Sequence, residues 1–456
     1  MKKPNLLFVF SDQHRWCDLN SYGNKQVISP NFDDFYRKAR VFNNCISNIP
    51  VCVPMRGSLL TGCLPLKHRA VTNDLPIDPT LKSIANSMNE QGYKTGYIGK
   101  WHLDGIPRDK AIKKEYRLGF DTWKVANCTH DYNSSYYYDE NNEFHKHDGY
   151  EPICQTDLAI DFINNNADVP WGLVLSWGPP HAPYETAPDE YRDIYNDINI
   201  ELRDNVPQIS KVNMDTYVDR SEIREQLRGY YSHISAIDAQ FGRLINTLGE
   251  TNQLENTIIV YTSDHGDMLG SQGQMKKQWY FEESIKVPLM VYWDGKTISG
   301  VTDELIGLVD LPISLMSLMG LNLSNNVDGI DLSEVFCNND AKGLQFCYIM
   351  DLIACHQAAD RGSIEWRGLK TKKHTYAISA LNEKLVLYNN IDDPYQLVNQ
   401  INNKNYQNTI YRLHAKLEKY ISKHDKLLVC DKFVEEFGLK DEWNTSQKHF
   451  GYDIIN

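Results

Sequence analysis

The sequence has no long hydrophobic run. Its apolar stretches, such as Leu6 to Phe10, fall far short of the ~18 residues of a membrane-spanning helix, so no transmembrane segment and no membrane partner are expected. Excess positive charge is also missing: 47 Lys and Arg stand against 60 Asp and Glu, a formal net charge of −13. Such a field repels nucleic acid, so no nucleic-acid partner is expected, and an anionic substrate must meet local positive charge. There is no CxxC pair among the ten cysteines, Cys17, Cys45, Cys52, Cys63, Cys128, Cys154, Cys337, Cys347, Cys355 and Cys430. In a large core that favours reduced, buried thiols over disulfides or a zinc knuckle. Internal repeats and low-complexity tracts are absent. The start, Met1-Lys2-Lys3-Pro4, enters an apolar run cut off by Ser11-Asp12, too short for a secretory leader. The location expected is therefore cytoplasmic, or periplasmic or secreted if a leader has been removed.

What is present is an ordinary globular composition, 41% hydrophobic and 23% charged over 456 residues, enough for two or three domains. Asn5 to Phe10, Tyr93 to Ile98, Gly172 to Trp177 and Thr257 to Thr262 read as short buried strands. Helical patterns alternate with them. Phe32, Phe35, Tyr36 and Ala39 share a face behind Ser29 and Pro30; Leu81, Ile84, Ala85 and Met88 repeat the spacing; Ile223 to Leu248 steps by fours and threes and is expected to stop at Gly249. The fold class expected is α/β: a large, mainly parallel sheet sandwiched by helices. Polar composition near Asn338 to Gly343 sets the expected division into a catalytic domain, residues 1–340, and a smaller C-terminal α+β domain, residues 341–456, with antiparallel strands and a helix. Tyr132 to Tyr138 reads as a surface loop or insertion.

Ligands in open α/β sheets bind beyond the carboxyl ends of the strands. The four runs end in Ser11-Asp12-Gln13, Gly99-Lys100-Trp101-His102, Gly178-Pro179-Pro180-His181 and Ser263-Asp264-His265-Gly266-Asp267. Asp12, Asp264 and His265 form a candidate metal set, to which Gln13 can add a neutral oxygen; such a set suits Ca2+, Mg2+ or Mn2+. A single Asp of this kind is as readily a turn former or helix cap. Cys52 opens Cys52-Val53-Pro54-Met55-Arg56-Gly57-Ser58-Leu59-Leu60-Thr61-Gly62. Pro54 fits the first turn of a helix, which places Cys52 at a helix N-terminus, where an anion is favoured. An isolated cysteine is more often a buried core thiol than a nucleophile.

The neighbours of Cys52 change that balance. Cys-x-Pro-x-Arg followed by Gly-Ser-Leu-Leu-Thr-Gly resembles the signature of the formylglycine-dependent sulfatases of the alkaline phosphatase-like superfamily. The resemblance continues through Ser11-Asp12-Gln13, Gly99-Lys100-Trp101-His102-Leu103, Pro180-His181-Ala182-Pro183 and Thr262-Ser263-Asp264-His265-Gly266. Lys277, five residues before Glu282, is similar to the family's second catalytic lysine, with Lys276 the alternative register. Leu387-Tyr388, Asp392-Asp393-Pro394 and Asn399 are similar to its second domain. Gln13 and His265 stand where some sulfatases carry Asp and Asn, a pairing similar to the branch that includes phosphonate monoester hydrolases. Asn73 is similar to an active-site asparagine of that branch, although Thr72-Asn73-Asp74 also reads as a turn.

The resemblance implies oxidation of Cys52 to formylglycine by a maturation enzyme, and hydration to a diol that attacks sulfur beside a divalent cation. That cation is Ca2+ by preference, with Mn2+ or Mg2+ as alternatives. It implies a metal set of Asp12, Gln13, residue 52, Asp264 and His265, with Lys100 and Lys277 on the sulfuryl oxygens and Arg56 holding the diol. His102 would assist the diol proton, and His181 would protonate the leaving alcohol. Taken singly, Lys100 reads as a surface charge, and His102 or His181 as a hydrogen-bonded histidine; occurring together in family order they read as a site. The substrate expected is a sulfated carbohydrate. Two alternatives remain open: a phosphonate or phosphate ester hydrolase of the same fold, and a catalytically silent glycan-binding relative.

Overall fold

The computed structural model describes residues 2–323, 326–354 and 357–452. Strand Asn5–Asp12 is buried along its whole length and lies at the centre of an 11-stranded mixed sheet. Thr257–Ser263 and Trp171–Pro180 flank it in parallel, and Lys94–Lys100 pairs in parallel beyond Trp171–Pro180. Ser11 sits opposite Ser263, and Asp12 opposite Pro180. The polar ends of separate sequence segments are thus delivered to one edge of the sheet. Sides alternate as a strand's period of two requires: Leu6, Phe8 and Phe10 enter one apolar layer, while Leu7 and Val9 enter the other. Burying each such side chain contributes about 1.5–3 kcal/mol.

Helix Arg220–Glu250 covers the second layer through Ile223, Leu227, Ile234, Ile237, Phe241, Leu244 and Leu248. The Asp219 carboxylate caps it, accepting from the amides of Ser221 and Glu222. The helix passes Gly249, the stop expected from the sequence, because Thr251 N still donates to Thr247 O; the left-handed residue that ends the turn is Asn252. The helix expected from Leu81 starts later, at Ile84, because Ser83 and Asn86 form a capping box there. Helix Pro30–Lys38 forms behind Ser29 as its spacing predicts.

The Tyr132 to Tyr138 stretch is not a surface loop. Tyr132 is fully buried, and Tyr136–Tyr138 pairs with Ala126's strand, Thr122–Ala126, and with Phe144–Lys146, extending the large sheet by two short strands. Aromatic packing of Tyr136 on Phe144 supplies an apolar face that a loop reading overlooks. The described cysteines are all free. No helix among the described residues is long and apolar enough to cross a membrane.

Beyond residue 346, strands Cys347–Asp351, Trp366–Lys370, His374–Ser379 and Lys384–Asn389 form an antiparallel sheet, followed by helix Gln407–His424. Ile349, Trp366, Ala377 and Val386 of that sheet share a buried cluster with Ile46, Met268, Phe281 and Ile285. The smaller sheet therefore backs the 268–285 segment, which carries Lys277. Helix Lys440–Phe450 brings Phe450 back across the chain, with the Arg108 guanidinium 4.8 Å from its ring centroid.

Candidate active site

Cys52 is the first residue of helix Cys52–Thr61, and Val51 is its N-cap. Free backbone amides and the positive end of the helix dipole therefore point toward position 52. One of these amides, Val53 N, donates to Asn73 Oδ1 at 3.1 Å, which sets Asn73 beside the nucleophile position as a capping acceptor. Cys52 is 1% exposed.

Around its sulfur the strand ends converge. Lys277 Nζ lies at 3.0 Å, His265 Nε2 at 3.2 Å and Asp12 Oδ1 at 3.7 Å. Arg56, one turn into the helix, reaches both carboxylates: Nη2 is 3.0 Å from Asp12 Oδ2, and Nε is 3.1 Å from Asp264 Oδ2. Lys100 Nζ lies 2.6 Å from Asp12 Oδ2. The Oδ2 atoms are thus held by cations, while Asp12 Oδ1 and Asp264 Oδ1 lie 3.7 and 3.6 Å from His265 Nε2, the latter also accepting from the amides of Gln13 and His265.

Whether these groups suit a metal ion is decided by reach. One ligand atom each from Asp12, Cys52, Asp264 and His265 fall within 4.8 Å of one another. Donors on opposite sides of a Ca2+ or Mg2+ ion stand at most about 5 Å apart, so the set fits one cation. His265 Nδ1 donates to Gly266 O at 2.9 Å, which fixes the tautomer and turns the Nε2 lone pair inward. Gln13 Oε1 accepts from Lys277 Nζ at 2.8 Å, next to this cluster.

The electrostatics agree with that reading. Burial favours a neutral Asp12, but Lys100, His181, Lys277 and Arg56 outweigh it and hold the carboxyl well below its usual range. Burial and the like charge of Asp12 push Asp264 up. Burial and Asp12 work against a Cys52 thiolate, yet Lys277, His265 and Lys100 bring the thiol well below its ordinary value. Burial opposes a charged His265, and Asp264 overcomes it. Two buried carboxylates thus draw positive charge to the point where His265 Nε2 faces them.

His102 lies 3.6 Å from Asp74 Oδ1, and despite burial Cys128, Asp74 and Cys52 push it up to about 10. His181 stacks on His130, ring centroids 4.4 Å apart, and its Nδ1 donates to Ala182 O at 2.7 Å, leaving Nε2 free. Burial, Lys277 and His130 hold it well below the usual histidine value. Gln13, His102 and Lys276 all adopt left-handed backbone, φ 70, 59 and 64, a geometry costing on the order of 1–2 kcal/mol per residue. Gly99 carries φ +106, and a Cβ there would lie 2.1 Å from Ser176 O, so only glycine lets Lys100 enter the site from its strand.

The structure brings together every residue singled out from the sequence: Asp12, Gln13, Cys52, Arg56, Asn73, Lys100, His102, His181, Asp264, His265 and Lys277. Others went unassigned. Asp267 accepts from Gln13 Nε2 at 2.5 Å and Tyr184 OH at 2.7 Å, and so sets which end of the Gln13 amide faces Lys277. It ends the Ser263 to Asp267 stretch, and its place two residues after His265 is the signal that could have found it. His130, Cys128 and Asp74 carry no comparable local signal.

Residues 4–321 match the sulfatase family, and residues 270–423 match the C-terminal family of N-sulphoglucosamine sulphohydrolase. An ulvan-active sulfatase of Formosa agariphila is 34% identical over 427 residues, covering 92% of this chain and 81% of that protein. An N-acetylglucosamine-6-O-sulfatase of Bacteroides thetaiotaomicron is 24% identical, covering 86% and 80%. Among solved structures, a Bacteroides fragilis protein that bears the designation sulfatase yidJ superposes with a TM-score of 0.84 at 26% identity, over 93% of this chain and 97% of that one. A phosphonate monoester hydrolase of Silicibacter pomeroyi shares the fold, with a TM-score of 0.75 at 19% identity over 92% and 96%. The chain belongs to the sulfatase family. Its activity is that of a sulfuric ester hydrolase.

Proposed function

We propose that the protein hydrolyses a sulfate ester of a carbohydrate, with formylglycine made from Cys52 as the nucleophile-bearing residue beside a divalent cation. The observation that carries this reading is the placement of Cys52 Sγ at a helix N-terminus, within 3.7 Å of Lys277 Nζ, His265 Nε2 and Asp12 Oδ1. Asp12, Asp264, His265 and residue 52 would hold the ion, with Gln13 as a neutral oxygen donor. An oxygen-rich set with one imidazole favours Ca2+, then Mn2+ or Mg2+. The oxidised residue supplies a hydroxyl nucleophile, and the ion supplies Lewis acidity beside it.

The chain's own groups do the rest. Lys100 and Lys277 neutralise charge growing on the sulfuryl oxygens in a site shielded from water, where fixed cations act most strongly. Arg56 keeps the two aspartates in place and orients residue 52. His102, next to Cys52 and Asp74, exchanges a proton at residue 52, and conversion of the thiol removes one of the anions that raise it. His181 presents Nε2 to the leaving oxygen; the negative charge of an arriving sulfate offsets the cations that keep this histidine neutral at rest.

A maturation enzyme is the expected partner. With Cys52 at 1% exposure, oxidation of its side chain has to precede folding. The sugar assignment follows the two relatives, whose names specify ulvan and N-acetylglucosamine 6-O-sulfate activity. Matched aryl sulfate, phosphate and phosphonate esters, assayed on protein whose residue 52 is converted, test the reaction. Preference for sulfate supports the reading, and faster phosphonate or phosphate turnover replaces it with the alternative hydrolase.

A further inference from the structure

His181 opens the loop that follows strand Trp171–Pro180. Two contacts hold that loop: His233 Nε2 donates to Pro183 O at 3.1 Å, and Tyr132 OH donates to Ala182 O at 3.5 Å. The backbone is fixed by them, but the ring is not. Among the described residues the imidazole makes one hydrogen bond, Nδ1 to Ala182 O at 2.7 Å. The bond to Cβ and this hydrogen bond at the neighbouring Nδ1 hold one edge of the ring and leave its plane to tilt. Tilting swings Nε2, on the opposite edge, through an arc. For an acid that must meet a leaving oxygen this matters, since a misplacement of about 1 Å costs on the order of 10²-fold in rate.

His130 supplies the constraint. Its ring lies on the face of His181, with centroids 4.4 Å apart and planes 9° from parallel. It arrives from a different strand end. Thr122–Ala126 pairs in parallel with Lys94–Lys100, Ala126 opposite Lys100, and the chain then runs Asn127-Cys128-Thr129-His130. Asn127 anchors that run: its O accepts from His102 N at 2.6 Å, and its Nδ2 donates to Gly105 O at 3.0 Å. Cys128 Sγ lies 3.9 Å from His130 Nε2. Both histidines line a cavity of about 540 Å³ that Gln13 and Lys277 also border. A ring packed flat on the face of another blocks the tilt and leaves the edge that carries Nε2 uncovered.

We propose, resting on the sulfatase reading above, that His130 is the positioning residue of the leaving-group acid: flat against His181, it holds the plane in which Nε2 meets the leaving oxygen. In that step the S–O bond to the sugar breaks, its electron pair stays on the sugar oxygen, and the proton on His181 Nε2 moves to that oxygen. His181 is left neutral, and His130 neither gives nor takes the proton. The requirement at position 130 is a planar ring, not a charge.

The test is a series of sulfate esters whose leaving groups run from 4-nitrophenol through phenol to a sugar alcohol, turned over by the full chain with residue 52 converted. A nitrophenolate departs without a proton, whereas a sugar alkoxide needs one. His130→Ala should lower kcat on the sugar ester by about 10- to 100-fold and leave the nitrophenyl ester within about threefold. His130→Phe keeps a flat ring and should restore most of the loss. If the alanine variant does not fold, His130→Gln, which also lacks the ring, takes its place. In a His181→Asn background His130→Ala should cost nothing further, because it acts through His181. Equal losses across the series, a His130→Phe variant as impaired as His130→Ala, or full additivity with His181→Asn overturns the proposal. Parent protein that cleaves phosphonate esters in place of sulfates removes the sulfatase reading alone; the same leaving groups, built as phosphonates, then decide the role of His130. Parent protein that cleaves neither overturns both.

Discussion

Lys277 Nζ lies 3.0 Å from Cys52 Sγ, although 225 positions separate them in the chain. The contact depends on the smaller sheet, which packs behind the segment carrying Lys277 through Ile349 and Trp366 against Met268 and Phe281. If this ammonium stabilises charge on the sulfuryl group, Lys277→Met should lower kcat/KM by about 10²–10³, the range seen when one preorganised transition-state donor is lost. Steady-state kinetics with a thermal melt alongside check it. A fall in activity matched by unfolding would move the residue to a structural role.

Arg56 is fully buried and bridges Asp12 and Asp264. Removing one member of a buried charge network leaves the others uncompensated, at a cost of about 3–5 kcal/mol. Arg56→Leu should therefore melt far below the parent in metal-free buffer, and a divalent cation should restore part of the loss by neutralising the two carboxylates. Chemical denaturation with and without the cation measures both effects.

Asp267 reads as a positioning residue. By accepting from Gln13 Nε2 it leaves Gln13 Oε1 facing Lys277 and the cation cluster. Asp267→Asn keeps one acceptor oxygen, so its NH2 must face either the Gln13 and Tyr184 donors or the Leu269 amide, each of which needs an acceptor. Loss of an outer-shell partner typically weakens metal binding 10–100-fold, and titration of chelator-stripped protein should show a change of that size without loss of fold.

His68 predicts a pH effect away from the reacting groups. Its Nε2 donates to Pro54 O at 3.0 Å, and its Nδ1 accepts from Ala70 N at 3.2 Å. Both nitrogens are occupied in the neutral form, and burial brings this histidine down to about 4. Between pH 6.5 and about 4 the unfolded chain takes a proton that the native one refuses, so stability falls as pH falls through that window. His68→Gln removes this contribution. The melting-temperature advantage of the parent over the variant should shrink from pH 7 to pH 4.5, and a constant difference would contradict the assignment.

Much of this arrangement is legible in the sequence because it is local. Runs such as Asn5–Asp12 and Thr257–Ser263 announce buried parallel strands, and the rule that sites form at their carboxyl ends selects Asp12, Lys100, His181 and Asp264 before any coordinates. Cys52 at the start of its helix follows from Pro54 and Arg56 in the same way. The Asp267 hydrogen bond to Gln13, the Arg361 contact with Lys277 O and the return of Phe450 to Arg108 join segments far apart in the chain. No periodicity encodes such contacts. The tyrosines from Tyr132 to Tyr138 misled for a related reason: their partners, Phe144 and His145, complete the strand pair only after the chain reverses.

The most direct test of the account is anomalous diffraction from crystals of the mature protein soaked in Mn2+. The account predicts one strong peak in bonding contact, within about 2.6 Å, of Asp12, Asp264, His265 and the oxidised residue 52. No peak there, or a peak that residue 52 does not touch, would contradict it.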